Sequence, residues 1–345
     1  MLQLIGGLLM LVIGAEVSVR AAVRLAASLR VRPLIIGLTV VALGSSAPQM
    51  AVSLQAAFSS SPDIAVGSVV GSNIFNVLVT LGLSALIIPL RVPRQVVRLD
   101  IPLMIGASLL VFGLSYNGEL SALDGGILLL SLLAYLMILT HQSRGHLQKS
   151  PDTQHRTPWL RSLTRMVLGL LLLVFGARLL VQAAVIVAQD LGLSERVIGL
   201  TVIAGSTSVP ALTTSLIAAI RGQRDIAVGN VIGSNLLNLL GVLGFTALIA
   251  PQPLSVSPNA LSFDLPVMLA VAALCLPVFY SGYRVTRTEG VLLLALYFAY
   301  GLHIISFTTG MPLADSLEKL MIRFVLPLLA AFLVFGTVRA WRRQH

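Results

Sequence analysis

Runs of about twenty uncharged, mainly apolar residues recur along the whole chain, separated by short polar segments. An α-helix of that length crosses the roughly 30 Å hydrocarbon core of a bilayer. The pattern predicts eleven membrane-spanning helices, which we number as spans one to eleven. They lie near residues 3–28, 34–58, 63–89, 99–117, 122–141, 163–190, 196–220, 225–250, 263–282, 288–307 and 322–338.

Composition and charge support the membrane assignment and add an orientation. Apolar residues make up 57% of the chain and charged residues 10%, whereas about a quarter of a soluble domain is charged. The net charge is +10, and the Arg and Lys residues collect in every second loop. Because basic loops remain cytoplasmic, the N-terminus is predicted outside and the C-terminus inside. The basic charge thus indicates a lipid bilayer as partner and no nucleic acid.

A long segment of the first half recurs in the second. Residues 37–87 match residues 199–249 at 27 of 51 positions without a gap, at a constant offset of 162. Weaker matches, such as Gly14 with Gly176 and Asp100 with Asp264, extend the repeat to five spans. An odd number of spans reverses the chain direction, so the second copy is inverted. The predicted fold is an all-α integral membrane protein of two inverted five-helix repeats plus one extra C-terminal transmembrane helix.

This organisation divides the chain into four regions. They are the first repeat at 1–141, a cytoplasmic loop at 142–162, the second repeat at 163–307, and the eleventh span with a basic tail at 308–345.

Each repeat has a proline in the middle of a span, beside several hydroxyl groups. Pro48 in span two and Pro210 in span seven each remove a helical hydrogen bond, which frees the carbonyl group four residues earlier. In hydrocarbon a freed carbonyl needs a partner or must line a cavity, and hydroxyl and carbonyl oxygens are ligands for hard cations. A plain proline kink is the alternative. Two kinks at matching positions favour a cation site at the repeat interface, as in many secondary transporters.

Spans three and eight carry polar rows with a four-residue spacing, which places each row on one helical face. The rows are Ser68, Ser72, Asn76 and Thr80 in span three, and Asn230, Ser234 and Asn238 in span eight. Contacts between packed helices are the alternative role for such amides. The recurrence of Gly-Ser-Asn at 71–73 and 233–235 favours a site.

These paired blocks resemble the two signature repeats of the sodium/calcium exchanger family, in its short bacterial form. The resemblance covers spans one to ten. It implies a secondary cation antiporter of the bacterial inner membrane, with no cofactor and with small inorganic cations as cargo: sodium, with proton, potassium and calcium as alternatives. The implied cation-binding residues are Ala42 and Ala204 through their carbonyls, with Ser45, Ser46, Gln49, Ser72, Asn76, Thr207, Ser208, Ala211, Ser234 and Asn238.

The chain departs from the family at the acidic positions. Gln49 and Ala211 stand where the family has a glutamate after each proline, and Asn238 stands where an acid sometimes occurs. Because neutral dipoles rarely offset the dehydration of a divalent ion, the residues predict weak calcium binding and an altered ion choice. The alternatives are a calcium exchanger in which Glu16 supplies the charge, and a non-transporting scaffold or ion sensor. The sequence contains no nucleophile–base pair, phosphate loop or zinc motif, so an enzyme is not expected.

Two charged residues occupy equivalent positions within spans one and six, namely Glu16 and Arg178. Ionisable groups inside a membrane usually pair, and equivalent positions can meet at the axis relating two repeats. We therefore predict an intramembrane charge pair between them, with separate contacts at the interfaces as the alternative.

Overall fold

The computed structural model describes residues 2–29, 31–58, 62–144, 159–190, 206–280 and 282–309, with the single residues 316, 320 and 323. The first five spans are Leu2–Leu29, the bent pair Pro33–Ser45 and Ala47–Ala57, Asp63–Ile87, Val96–Asn117 and Ala122–Arg144. The next five are Trp159–Asp190, Val209–Ile220 as the described part of span seven, Arg224–Ile249, Ala260–Tyr280 and Arg287–Thr309.

These helices confirm an all-helical membrane protein. Seven of the described helices are long and apolar enough to cross a membrane, and the bent pair of span two makes an eighth. Four two-residue strands in the loops were not predicted: β1 (Leu90–Arg91) pairs with β4 (Arg284–Val285), and β2 (Glu119–Leu120) pairs with β3 (Leu254–Ser255). The start of span seven and the whole of span eleven lie outside the described residues.

Close glycine contacts show that spans one and six run antiparallel. A Cβ atom on Gly7 would lie 2.9 Å from the Gly176 carbonyl oxygen, and one on Gly14 would lie 2.7 Å from that of Gly169. Small residues let two membrane helices approach this closely. Gly14 and Gly176 are also equivalent positions of the two repeats, so the contacts are those of an inverted pair.

The same geometry explains why the predicted pair of Glu16 with Arg178 is wrong. Contacting residues of spans one and six have numbers that sum to 183, as in 7 with 176 and 14 with 169. Glu16 is therefore level with residue 167, and Arg178 lies 11 residues, or about 16 Å, further along span six. The Glu16 carboxylate instead pairs with Arg20 and Arg221.

The glycine packing yields a stability prediction with a control in the same helix. We expect Gly7→Ala to lower the free energy of unfolding by about 1–3 kcal/mol, because the added methyl group pushes against backbone atoms of span six. Gly6→Ala is the control, since nothing lies within 4 Å of a Cβ atom there. Thermal unfolding in detergent should separate the two variants. Equal melting temperatures would contradict the close helix contact.

Span two breaks at Ser46, where its two helices meet at an angle of 43°. Pro48 lies in the first turn of the second helix, a position where its missing N–H costs nothing. Pro210 holds the same place after Ser208 in span seven. The prolines thus begin new helices and leave polar turns at 46 and 207–208 inside the protein.

Spans three and eight contain π-helical segments at matching positions. The segments are Asn76–Leu81 and Leu237–Val242. Such bulges are rare and concentrate at functional sites. Each widens its helix where Asn76 or Asn238 projects.

Candidate cation site

The polar residues of spans two, three, seven and eight meet in the protein interior. The predicted cation-binding residues that the structure describes are at most 6% exposed. They include Ser45, Ser46, Gln49, Ser72, Asn76, Thr207, Ser208, Ala211, Ser234 and Asn238. We call this group, with the amides that contact it, the central polar cluster.

Two pairs of hydroxyl groups join the repeats. The Oγ atoms of Ser45 and Ser234 are 3.1 Å apart, which links span two to span eight. Those of Ser72 and Ser208 are 2.7 Å apart, which links span three to span seven. Residues separated by more than 130 positions are therefore in direct contact, as the repeat interface requires.

Asn73 and Asn235 are equivalent residues that contact each other across the interface. The Asn235 Nδ2 group donates to the Asn73 carbonyl oxygen, and the Asn73 Nδ2 group donates to the Asn235 carbonyl oxygen, both at 3.3 Å. A backbone carbonyl can only accept a hydrogen bond. Both side-chain nitrogens are therefore fixed in place, and each Oδ1 atom points towards a further residue.

These two oxygens orient the next pair of asparagines. Asn76 donates its Nδ2 group to Asn235 Oδ1, and Asn238 donates its Nδ2 group to Asn73 Oδ1, both at 3.0 Å. The Oδ1 atoms of Asn76 and Asn238 must then face away from the asparagine framework. Both are buried and have no hydrogen-bond partner among the described residues.

A series of hydrogen bonds also orients Gln49. The Ser68 hydroxyl donates to the Ala65 carbonyl at 3.2 Å, so its oxygen accepts from Gln49 Nε2 at 2.8 Å. The Gln49 Oε1 atom is left buried without a partner in the described structure. The hydroxyl oxygens of Ser46 and Thr207 are likewise buried and have no hydrogen-bond partner in the described structure.

Five buried oxygens of the central polar cluster thus have no hydrogen-bond partner in the described structure. A buried polar atom without a hydrogen bond is costly, and a bound species that contacted these five would satisfy them. Amide and hydroxyl oxygens are ligands for hard cations. Not one of the five carries a charge.

The second repeat differs from the first at the position after the proline. Gln49 fills this space in the first repeat and bonds Ser68 and, at 3.3 Å, Ser53. In the second repeat Asn230, the equivalent of Ser68, donates to Ser215 Oγ at 2.9 Å and to the Ala211 carbonyl at 3.1 Å. An amide on span eight therefore occupies the space that the small Ala211 side chain leaves. The Asn230 Oδ1 atom accepts a hydrogen bond from the Ser45 hydroxyl at 2.9 Å.

Two predicted carbonyl ligands have different outcomes. The Ala42 carbonyl accepts from the Ser46 N–H at 2.9 Å. Ser45 Oγ lies 3.1 Å from the same carbonyl, but its single proton is shared with the closer Asn230 Oδ1. Ala204 lies outside the described residues.

No carboxylate is available to the cluster in the described part of the chain. Glu16 is held by Arg20 and by Arg221, whose Nε atom lies 2.8 Å from the carboxylate, so it does not supply the missing charge. The described residues also contain no group of three His, Cys, Asp or Glu side chains that could hold a metal ion.

Sequence reasoning missed Asn73, Asn235, Ser53 and Ser215 as parts of the cluster. Their signal was present, because Gly-Ser-Asn recurs in both halves and Ser53 and Ser215 are equivalent matches. Their roles depend on contacts between repeats, which spacing within one helix does not indicate.

Comparisons with known proteins agree with this architecture. The sequence profile described as "Sodium/calcium exchanger protein" matches residues 1–141 and 162–306. The sodium/calcium exchanger MaX1 of Methanosarcina acetivorans is 32% identical over 340 residues, covering 87% of this chain and 96% of that protein. The inner membrane protein YrbG of Escherichia coli is 39% identical over 279 residues, covering 78% and 85%.

A solved structure has the same fold. The sodium-calcium exchanger NCX_Mj, soaked with sodium and strontium, superposes with a TM-score of 0.75 at 29% identity, covering 89% of this chain and 97% of that one. The profile match extends over both repeats. This chain belongs to the sodium/calcium exchanger protein family.

Proposed function

We propose that this protein is a secondary antiporter of the inner membrane that moves monovalent cations, with sodium as the first candidate, through the central polar cluster. The observation that carries the proposal is the set of five buried, unpartnered neutral oxygens. Such oxygens replace the water around a monovalent ion, whose dehydration is far less costly than that of calcium.

The two hydroxyl pairs support alternating access. Perfect symmetry would map the pair of Ser45 with Ser234 onto a pair of Thr207 with Ser72, but Ser72 contacts Ser208 instead. The two repeats therefore have different arrangements at equivalent positions. A transporter built from inverted repeats needs such a difference to open to one side at a time.

A flux panel tests this function. We expect liposomes that contain the purified protein to take up radioactive sodium in exchange for sodium, potassium or protons loaded inside them. External calcium should change this uptake little. The control is Gln49→Leu with Asn76→Leu, which removes two of the free oxygens. Tight, sodium-competed calcium binding would contradict the choice of ion, and equal fluxes with empty liposomes would favour the scaffold or sensor.

For orientation, we propose an outer N-terminus and a cytoplasmic C-terminus. In support, β1 and β4 bring the basic loop after span three and the basic loop after span nine together, with Arg91 opposite Arg284. The loops that pair through β2 and β3 lie at the other ends of spans four and nine, and they contain no Arg or Lys at 115–121 or 250–259. A C-terminal reporter that is active only in the cytoplasm should therefore be active. Activity of a periplasm-specific reporter there would reverse the assignment.

A further inference from the structure

The described structure buries one acidic side chain completely, at a distance from the central polar cluster. Asp100 lies in the first turns of span four and is 0% exposed. Within a membrane protein an ionisable residue at such a place is costly and is usually functional.

Among the residues that the structure describes, no basic side chain pairs with Asp100. Its Oδ1 atom accepts a hydrogen bond from the Tyr135 hydroxyl of span five at 3.3 Å, and its Oδ2 atom has no partner among the described residues. Arg98 on the same segment is exposed. Span nine, which packs against this segment, carries Cys275 and Tyr280, and neither forms a hydrogen bond with Asp100 in the described structure. A negative charge at Asp100 would therefore be uncompensated.

Asp264, the equivalent residue in the second repeat, has different surroundings. Asp264 is half-buried and accepts from the Tyr300 hydroxyl at 3.0 Å and from Asn259 Nδ2 at 3.4 Å, so each of its oxygens has a partner. His303 also lies near this carboxylate. The two repeats thus share an Asp–Tyr contact, but the first lacks the further polar groups that would stabilise a charge.

Asp100 is connected to the framework of the cation site. Met104, one helical turn further along span four, lies with its sulfur 3.7 Å from Asn235 Nδ2. Asn235 in turn orients Asn76. A change of charge or packing at Asp100 can therefore reach the asparagine framework through a single turn of helix.

We propose that Asp100 is a proton-binding site, and that its proton is exchanged for the cation carried by the central polar cluster. With the proton bound, the acid is neutral and the Tyr135 hydroxyl donates to its carbonyl oxygen. Release of the proton to water leaves one negative charge in the protein, and entry of one monovalent cation into the neutral cluster balances it. The coupling rests on the proposed function, whereas proton binding by Asp100 does not.

Infrared difference spectroscopy tests proton binding without any transport. The wild-type protein at neutral pH should show the carbonyl stretch of a protonated carboxylic acid, and Asp100→Asn should lose it. Tyr135→Phe should keep the band but move it to higher frequency, because a hydrogen bond to the carbonyl is lost. Asp264→Asn is the matched control and should leave the band in place. A wild-type band that survives in Asp100→Asn overturns the proton site.

Liposomes with an internal pH dye test the coupling. A sodium gradient should drive proton movement with the wild type and with Asp264→Asn, whereas Asp100→Asn should carry sodium with proton movement reduced at least about tenfold. Full proton coupling by Asp100→Asn overturns the exchange. If the wild type carries no cation, the proposed function fails, and the infrared result still decides whether Asp100 binds a proton. Size-exclusion profiles establish that each variant is folded.

Discussion

The triple variant Gln49→Glu, Ala211→Glu, Asn230→Ser is expected to bind calcium at least about a hundredfold more tightly than the wild type, which corresponds to about 2.7 kcal/mol. The wild-type cluster offers only neutral oxygens. Two carboxylates would compensate the charge of the ion where the helix breaks and the surrounding hydroxyls already lie.

The third substitution follows from the difference between the repeats. Asn230 fills the space beside Ala211 and bonds its carbonyl and Ser215. A glutamate at 211 would meet this amide, whereas serine at 230 reproduces the arrangement of Ser68 beside Gln49 in the first repeat. We therefore expect the double variant Gln49→Glu, Ala211→Glu without Asn230→Ser to gain much less.

Calcium titration of the wild type, the single variants, the double variant and the triple variant checks this expectation. An unpaired buried carboxyl group is stabilised in its neutral form, so calcium competes with a proton and binding by the triple variant should strengthen as the pH rises. Asn230→Ser alone is the matched control and should bind no calcium. A double variant that equals the triple variant would show that Asn230 does not block the site.

The sequence was sufficient for the architecture because the repeat is long and gap-free. The match of positions 37–87 with 199–249 and the odd number of spans per copy can both be read directly from the chain. The helices and a bend beside Pro48 were therefore predicted before any contact was known.

Contacts between the repeats could not be predicted in the same way. Glu16 and Arg178 hold equivalent positions in the two repeats, and for that reason they were wrongly predicted to pair. Equivalent residues meet only where they lie on the axis between the repeats. Asn73 and Asn235 do lie there and bond reciprocally. Which equivalent pair lies on the axis depends on the helix crossing, and neither composition nor spacing reports that crossing.

The asparagine framework gives the second large expected effect. Asn235→Leu removes the acceptor that orients Asn76 and the donor that fixes Asn235 itself. Asn76 is then free to rotate, and its Oδ1 atom no longer faces the cluster in a fixed direction. We expect the affinity for the transported cation to fall at least about tenfold, or about 1.4 kcal/mol. Ser84→Ala is the control: this span-three hydroxyl lies eight residues, or about 12 Å, beyond Asn76 and is not part of the central polar cluster, so its loss should leave affinity unchanged.

A double-mutant cycle distinguishes positioning of Asn76 from general damage to the protein. If Asn235 acts on the cation through Asn76, then Asn76→Leu removes the group that Asn235 orients, and adding Asn235→Leu should cost little further affinity. The two effects should therefore be strongly non-additive. Asn235→Leu combined with Gln49→Leu should be nearly additive, because Gln49 is oriented separately by Ser68. Sodium titrations of the four proteins in each cycle supply the numbers. Equal, additive losses in both cycles would assign Asn235 to helix packing alone and leave Asn76 oriented by other contacts.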